Sequence, residues 1–275
     1  MKLKMKTMKL IKINYLVLAS IFLLFAVSSC NDDDDQQPVA ECFDHFGYDE
    51  NMTNGPSNWD NYCVAAGTVN ECGSIERQSP INITGAISDA TLSNLDITYN
   101  NSSTDIINNG HTIQFNYNGP NSNFTFNGET YSLLQFHFHA GSEHTVDALR
   151  HPLEVHLVHQ NNTSGNIAVI GIFFEQGTEN AFLAQFTENL PQDENGTYTD
   201  TNLSYSANAM VDTSGAYYNY SGSLTTPPCS EIVEWIVMEQ PLQASQAQLD
   251  KFSSILNGNF RPVQPLNSRT IKLKN

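Results

Sequence analysis

The feature that most limits what this chain can fold into is a two-residue alternation in Gln135-Phe136-His137-Phe138-His139, repeated in Glu154-Val155-His156-Leu157-Val158-His159. Along a β-strand successive side chains point to opposite faces, so Gln135, His137 and His139 share one face and the two phenylalanines the other. In the second segment Glu154, His156 and Val158 share a face, with Val155, Leu157 and His159 opposite. The stretch from Gly141 to Pro152 is long enough to bring the second segment back antiparallel beside the first. Three neutral imidazoles then converge. Three protein ligands with an open fourth position are what a catalytic zinc site needs. A single strand histidine is more often hydrogen-bonded or half-exposed than a ligand. The His-x-His pair, a third His on a neighbouring strand, and a Glu two residues before it favour metal.

The amino end reads differently. Lysines at 2, 4, 6, 9 and 12 precede an apolar run from Tyr15 to Val27 and then small residues, the pattern of a secretory signal over residues 1–29. The run ends at Val27-Ser28-Ser29-Cys30, which resembles the lipobox where bacterial lipoproteins are cleaved and the new terminal Cys30 is acylated. An uncleaved membrane anchor is the alternative. Either reading exports the rest of the chain. Asn31 to Gln37, with four consecutive Asp, has nothing apolar to bury, so residues 30–38 read as an acidic, solvated tether. Losing residues 1–29 removes five of the 12 Lys and Arg and none of the 29 Asp and Glu, taking the formal charge from −17 to −22. That charge argues against nucleic acid and anionic lipid headgroups as partners, leaving the lipid anchor as the only membrane contact.

Residues 39–275 are the size of one domain, with no internal repeat or linker to split them. The texture is rich in Asn, Thr, Ser and Gly. Thr112 to Tyr117 alternates and is stopped by Asn118-Gly119-Pro120; continuous apolar runs occur at Ile167–Phe174 and Ile232–Met238. Glu179–Thr187 and Ser245–Leu256 are the best helix candidates. The expected class is mainly β. With Cys30 assigned to the lipobox, Cys42, Cys63, Cys72 and Cys229 remain, and four thiols outside the cytoplasm suggest two disulfides in one of three connectivities. Their spacing lacks the Cys-x-x-Cys of a zinc-cysteine site.

Seven strings in order identify a resemblance. They are Asn54-Gly55-Pro56 with Trp59; Gln78-Ser79-Pro80-Ile81-Asn82-Ile83; Asn108-Asn109-Gly110-His111; Gln135 to His139 with Gly141-Ser142-Glu143-His144-Thr145-Val146-Asp147; Glu154 to His159; Ser223-Leu224-Thr225-Thr226-Pro227-Pro228-Cys229 with Trp235; and Phe260-Arg261-Pro262-Val263-Gln264-Pro265-Leu266. In these the chain resembles the α-class carbonic anhydrases from Gly47-Tyr48 to Arg261-Pro262.

The resemblance implies a single domain on a large, mostly antiparallel twisted sheet with short peripheral helices, and a conical cleft with Zn2+ at its base. It implies zinc on His137, His139 and His156, oriented by Gln135 and Glu154, and reversible hydration of CO2 to bicarbonate by zinc hydroxide. Thr225 would accept the hydroxide's hydrogen bond and donate its own to Glu143. Val158, Val169, Leu224 and Trp235 match the apolar wall for CO2, and Thr226 the polar side beside bicarbonate. His111 matches the proton shuttle, suited by an imidazole pKa near 6.5. Tyr48, Asn109 and, with a substitution, Gln114 match residues that order the intervening water. Extracellular members bridge the positions of Cys72 and Cys229, which leaves Cys42 to Cys63. Ala140 after His139, a short loop before Glu143, and Phe46 in place of the usual Trp depart from the vertebrate pattern without touching the ligands. The rival reading is an inactive binding or adhesion module, which some relatives with a lost ligand have become; hydrolysis of activated esters would be a side activity. A monomer or a homodimer fits either.

Overall fold

The computed structural model describes residues 42–275; the leader, Cys30 and the whole tether expected from the sequence lie outside the described residues. Among the described residues, thirteen strands form one sheet. Its path runs from Thr197–Tyr205 through Ser102–Asn108, Ile113–Asn116, Glu129–Ala140, Leu153–Gln160, Ile167–Gln176, Val233–Met238, Tyr217–Gly222 and Lys272–Lys274 to Ile87–Ser88. Most neighbours are antiparallel, but Ile167–Gln176 pairs in parallel with Val233–Met238 and Leu242–Ala244. The sheet is therefore mixed at its centre, where these strands are buried on both faces and read as continuous apolar runs.

Alternation sorts the two faces. Phe136, Phe138, Val155, Leu157, Ile170 and Ile172 enter the larger core together with Phe252 of the Gln246–Leu256 helix, whose ring is 4.5 Å from that of Phe138. Ser245 caps that helix and Gln248 returns the bond, completing a capping box. Val169, Phe173, Val233, Trp235 and Val237 form a second cluster on the opposite side. The second helix expected, Glu179–Thr187, shortens to one turn, Ala181–Ala184. Asn180 caps its start, while at its end the Thr187 hydroxyl bonds the Leu183 carbonyl and a 3-10 turn takes over. Gly141 to Pro152 is more than a return loop: it holds a small hairpin, Thr145–Val146 with Leu149–Arg150, whose turn residues Asp147 and Ala148 have φ of 48° and 65°.

Candidate functional site

The Glu129–Ala140 and Leu153–Gln160 strands pair so that His156 lies opposite His137, Glu154 opposite His139 and Val158 opposite Gln135. One ring nitrogen from each of His137, His139 and His156 falls within 4.8 Å of the others. The remaining nitrogen of each ring faces an oxygen acceptor. His137 Nδ1 donates to Gln135 Oε1 at 2.9 Å, His139 Nδ1 to the Asn259 carbonyl at 2.6 Å, and His156 Nε2 to Glu154 Oε1 at 2.8 Å. In a neutral ring one nitrogen is a donor and the other an acceptor, so the three converging atoms all carry lone pairs. Burial first, then the neighbouring imidazoles, holds His137 well below the usual histidine pKa; burial likewise lowers His139. Gly171 sits opposite His156, and a Cβ there would stand 3.0 Å from Glu154 Oε1, so this strand position leaves room for the carboxylate.

Two buried polar atoms here have no protein partner: His139 Nε2 and Glu143 Oε2, 3.5 Å apart. Buried polar atoms are rarely left so, and a lone pair beside a carboxylate oxygen is a donor set that fits a cation. Glu143 is fixed by its other oxygen, which accepts from the Arg261 backbone N–H at 2.8 Å. The bond expected from Thr225 to Glu143 is not among the hydrogen bonds present, although Thr225 lines the same cleft.

The cleft has two halves that share Gln135, His137 and Thr226. One, of about 130 Å³, is closed by Val158, Val169, Leu224, Trp235, His156 and Thr225. The other, of about 250 Å³, includes Phe46, Tyr48, Asn109, His111, Thr112, Gln114 and His139. Each side chain expected at the site from the sequence thus lines the cleft or touches one that does. Asn109 has a second task, since its Oδ1 accepts from the His111 and Thr112 backbone N–H groups and fixes the His111 turn.

Sequence reasoning missed the supports behind the histidines. Asn259 accepts from His139, takes the Ala140 N–H on its Oδ1, and donates to the His111 and Phe138 carbonyls. Glu154 also binds His144, at 2.8 Å through Nδ1; His144 Nε2 meets the Tyr220 hydroxyl at 2.6 Å, which donates to Ser79 Oγ. Burial alone would raise the Glu154 pKa, but His144 and His156 hold it well below the carboxylate range. His144 and Arg261 stand in quoted strings without a role assigned; no local signal marks Asn259. Two disulfides, Cys72–Cys229 and Cys42–Cys63, match the expected pairing and are typical of a protein matured in an oxidising compartment.

The sequence model of the eukaryotic-type carbonic anhydrase family matches residues 54–275. The chain belongs to the carbonic anhydrases. It is 40% identical over 247 residues to a carbonic anhydrase of Klebsiella pneumoniae, covering 85% of this chain and 93% of that one. It is 39% identical over 228 residues to one from Pectobacterium carotovorum, covering 82% and 90%. The solved α-carbonic anhydrase of Thermovibrio ammonificans, a complex with the inhibitor sulfanilamide, superposes with a TM-score of 0.77 at 36% identity, covering 84% of this chain and 99% of that one. A carbonic anhydrase interconverts CO2 and bicarbonate, an uncharged molecule and an anion.

Proposed function

We propose that this carbonic anhydrase holds zinc on His137, His139 and His156, hydrates CO2 reversibly at that centre, and releases the proton through His111. The observation that carries the reading is the convergence of three lone-pair nitrogens beside the unpartnered Glu143 Oε2. Zinc bound there supplies Lewis acidity that lowers the pKa of water to about 7, an effect for which carbonic anhydrase is the standard example. The chain's residues do the rest. Glu143, held by Arg261, keeps one oxygen free to accept a hydrogen bond from the Thr225 hydroxyl, and that bond, once made, would leave Thr225 Oγ1 only an acceptor's role toward the attacking oxygen. Val158, Val169, Leu224 and Trp235 would form the wall against which the uncharged CO2 is held for attack. Thr226 stands on the polar side, beside the bicarbonate formed when oxygen bonds carbon. The proton passes along water ordered by Tyr48, Asn109 and Gln114 to His111, then to buffer.

The protein acts outside the cytoplasm, held to a membrane by acylated Cys30, with residues 39–275 as the catalytic domain. Nothing favours the inactive module, since every ligand is present. Stopped-flow CO2 hydration separates the roles. His111→Ala should lower kcat by up to about 10²-fold in weak buffer, leave kcat/KM nearly unchanged, and be rescued by imidazole. Thr225→Ala should depress kcat/KM by about 10²-fold without rescue. If imidazole rescues neither, or His111→Ala lowers both parameters alike, the shuttle reading is wrong; no hydration by the zinc-loaded parent would overturn the whole.

A further inference from the structure

The His111 turn is bolted to a second turn that belongs to none of the strings above. Asn195 N donates to the Asn108 carbonyl at 2.7 Å, and Asn108 N to the Gly196 carbonyl at 3.0 Å. The Asn108 side chain reaches the Pro191 and Gln192 carbonyls. The second turn closes on itself through Gly196 N to the Asp193 carbonyl, with Asn195 at φ 63°. At its tip Glu194 lies across the backbone of Gly110, the residue before His111. A Cβ at Gly110 would stand 2.9 Å from Glu194 Cδ and Oε1, and Gly110 itself has φ of +84°. Among the described residues Glu194 makes no side-chain hydrogen bond and no ion pair, so its charge is free to act on its surroundings.

His111 meets three neighbours that bear on its charge. Phe46 stacks on its ring with centroids 3.8 Å apart and planes within 10°, and the exposed His45 ring is 5.1 Å away. Glu194, which lies over the adjacent Gly110, is the third, with Asp193 next to it in the exposed turn; His137, His139 and Tyr48 line the same half of the cleft, and burial, then Glu143, raises the Tyr48 pKa and keeps it neutral. Half-burial and His45 disfavour the imidazolium, and Glu194 opposes them.

We infer that Glu194 is a positioning residue of the proton-release path, its carboxylate stabilising the protonated His111 that forms each time a proton leaves the cleft. The inference rests on the reading of His111 as the shuttle. His111 must gain a proton from the cleft's water and lose it to buffer, so its proton affinity has to sit between theirs. A unit charge a few ångströms away in solvent-rich surroundings moves a pKa by about half a unit, or about threefold in the protonation ratio.

The test is the NMR titration of the His111 imidazole in the metal-loaded protein, with kcat followed against pH, in the parent and in Glu194→Gln, Glu194→Asp and Glu194→Lys. Glu194→Gln should move the His111 midpoint about half a unit to lower pH. It should lower kcat about threefold near pH 7 in weak buffer without changing kcat/KM. Glu194→Lys should move both further in the same direction, Glu194→Asp should restore the parent midpoint, and 1 M salt should erase the differences. An unmoved His111 midpoint in Glu194→Gln and Glu194→Lys would overturn the inference while leaving the shuttle standing. If His111→Ala instead leaves kcat unchanged, the shuttle fails, and with it any part for Glu194 in proton release.

Discussion

His156 and His159 are three residues apart on one strand and meet opposite conditions. His156 faces the cleft, whereas His159, beyond a break in register at Val158, turns into the core beside Tyr99. The Tyr99 hydroxyl lies 2.6 Å from its Nε2, and Nδ1 donates to the Ala168 carbonyl at 3.1 Å. Burial lowers the His159 pKa from 6.5 to about 4, against the pull of the backbone acceptors. The sign follows from proton uptake. Above pH 6.5 both folded and unfolded chains are neutral here; below it the unfolded chain takes a proton that the folded one refuses until about pH 4. Stability should therefore fall as pH drops across this window, by about 3 kcal/mol from this one group. Urea unfolding at pH 7 and pH 4.5 should show a smaller pH loss in His159→Gln than in the parent. An equal loss in both would place the acid sensitivity elsewhere.

At the scale of elements, the Cys72–Cys229 bridge joins the Thr225 segment to the Cys72 turn, on which Arg261 is hydrogen-bonded. Cys229 N donates to the Thr226 carbonyl, and one Arg261 Nη donates to the Cys72 carbonyl at 3.2 Å. The bridge spans 157 residues, so its loss should destabilise the fold on the order of 5 kcal/mol in the chain-entropy account. A Cys72→Ser, Cys229→Ser double variant should melt about 10 °C or more below the parent by calorimetry; a Tm within a few degrees would contradict this. The ligand strands were legible beforehand because alternation is local: one strand fixes His137 and His139, and the next fixes Glu154 and His156. Ser245–Leu256 was legible through its cap and its apolar spacing. Asn259, Tyr220 and Ser79 were not, since they reach the site across 76 to 141 residues of chain and only the closed sheet brings them there. The Glu179–Thr187 helix was overread because side-chain bonds from Asn180 and Thr187 compete with further turns. The parallel pairing of Ile167–Gln176 with Val233–Met238 left no mark beyond two apolar runs.

For the whole molecule, the two disulfides suggest an exported protein, in line with the secretory signal expected from residues 1–29. The acylation proposed at Cys30 would hold so acidic a domain at a membrane whose headgroups would otherwise repel it. Cys30→Ser should move the protein out of the membrane fraction or leave it unprocessed; an unmodified amino terminus at another residue, found by mass spectrometry, would contradict the anchor. The central claim is that His137, His139 and His156 together hold the zinc on which CO2 hydration depends. It is tested most directly by measuring zinc content and CO2 hydration side by side in the parent and in His156→Ala. The parent should carry stoichiometric zinc and hydrate CO2 far above the uncatalysed rate, while His156→Ala should lose most of both. Stoichiometric zinc retained in folded His156→Ala would contradict the assignment.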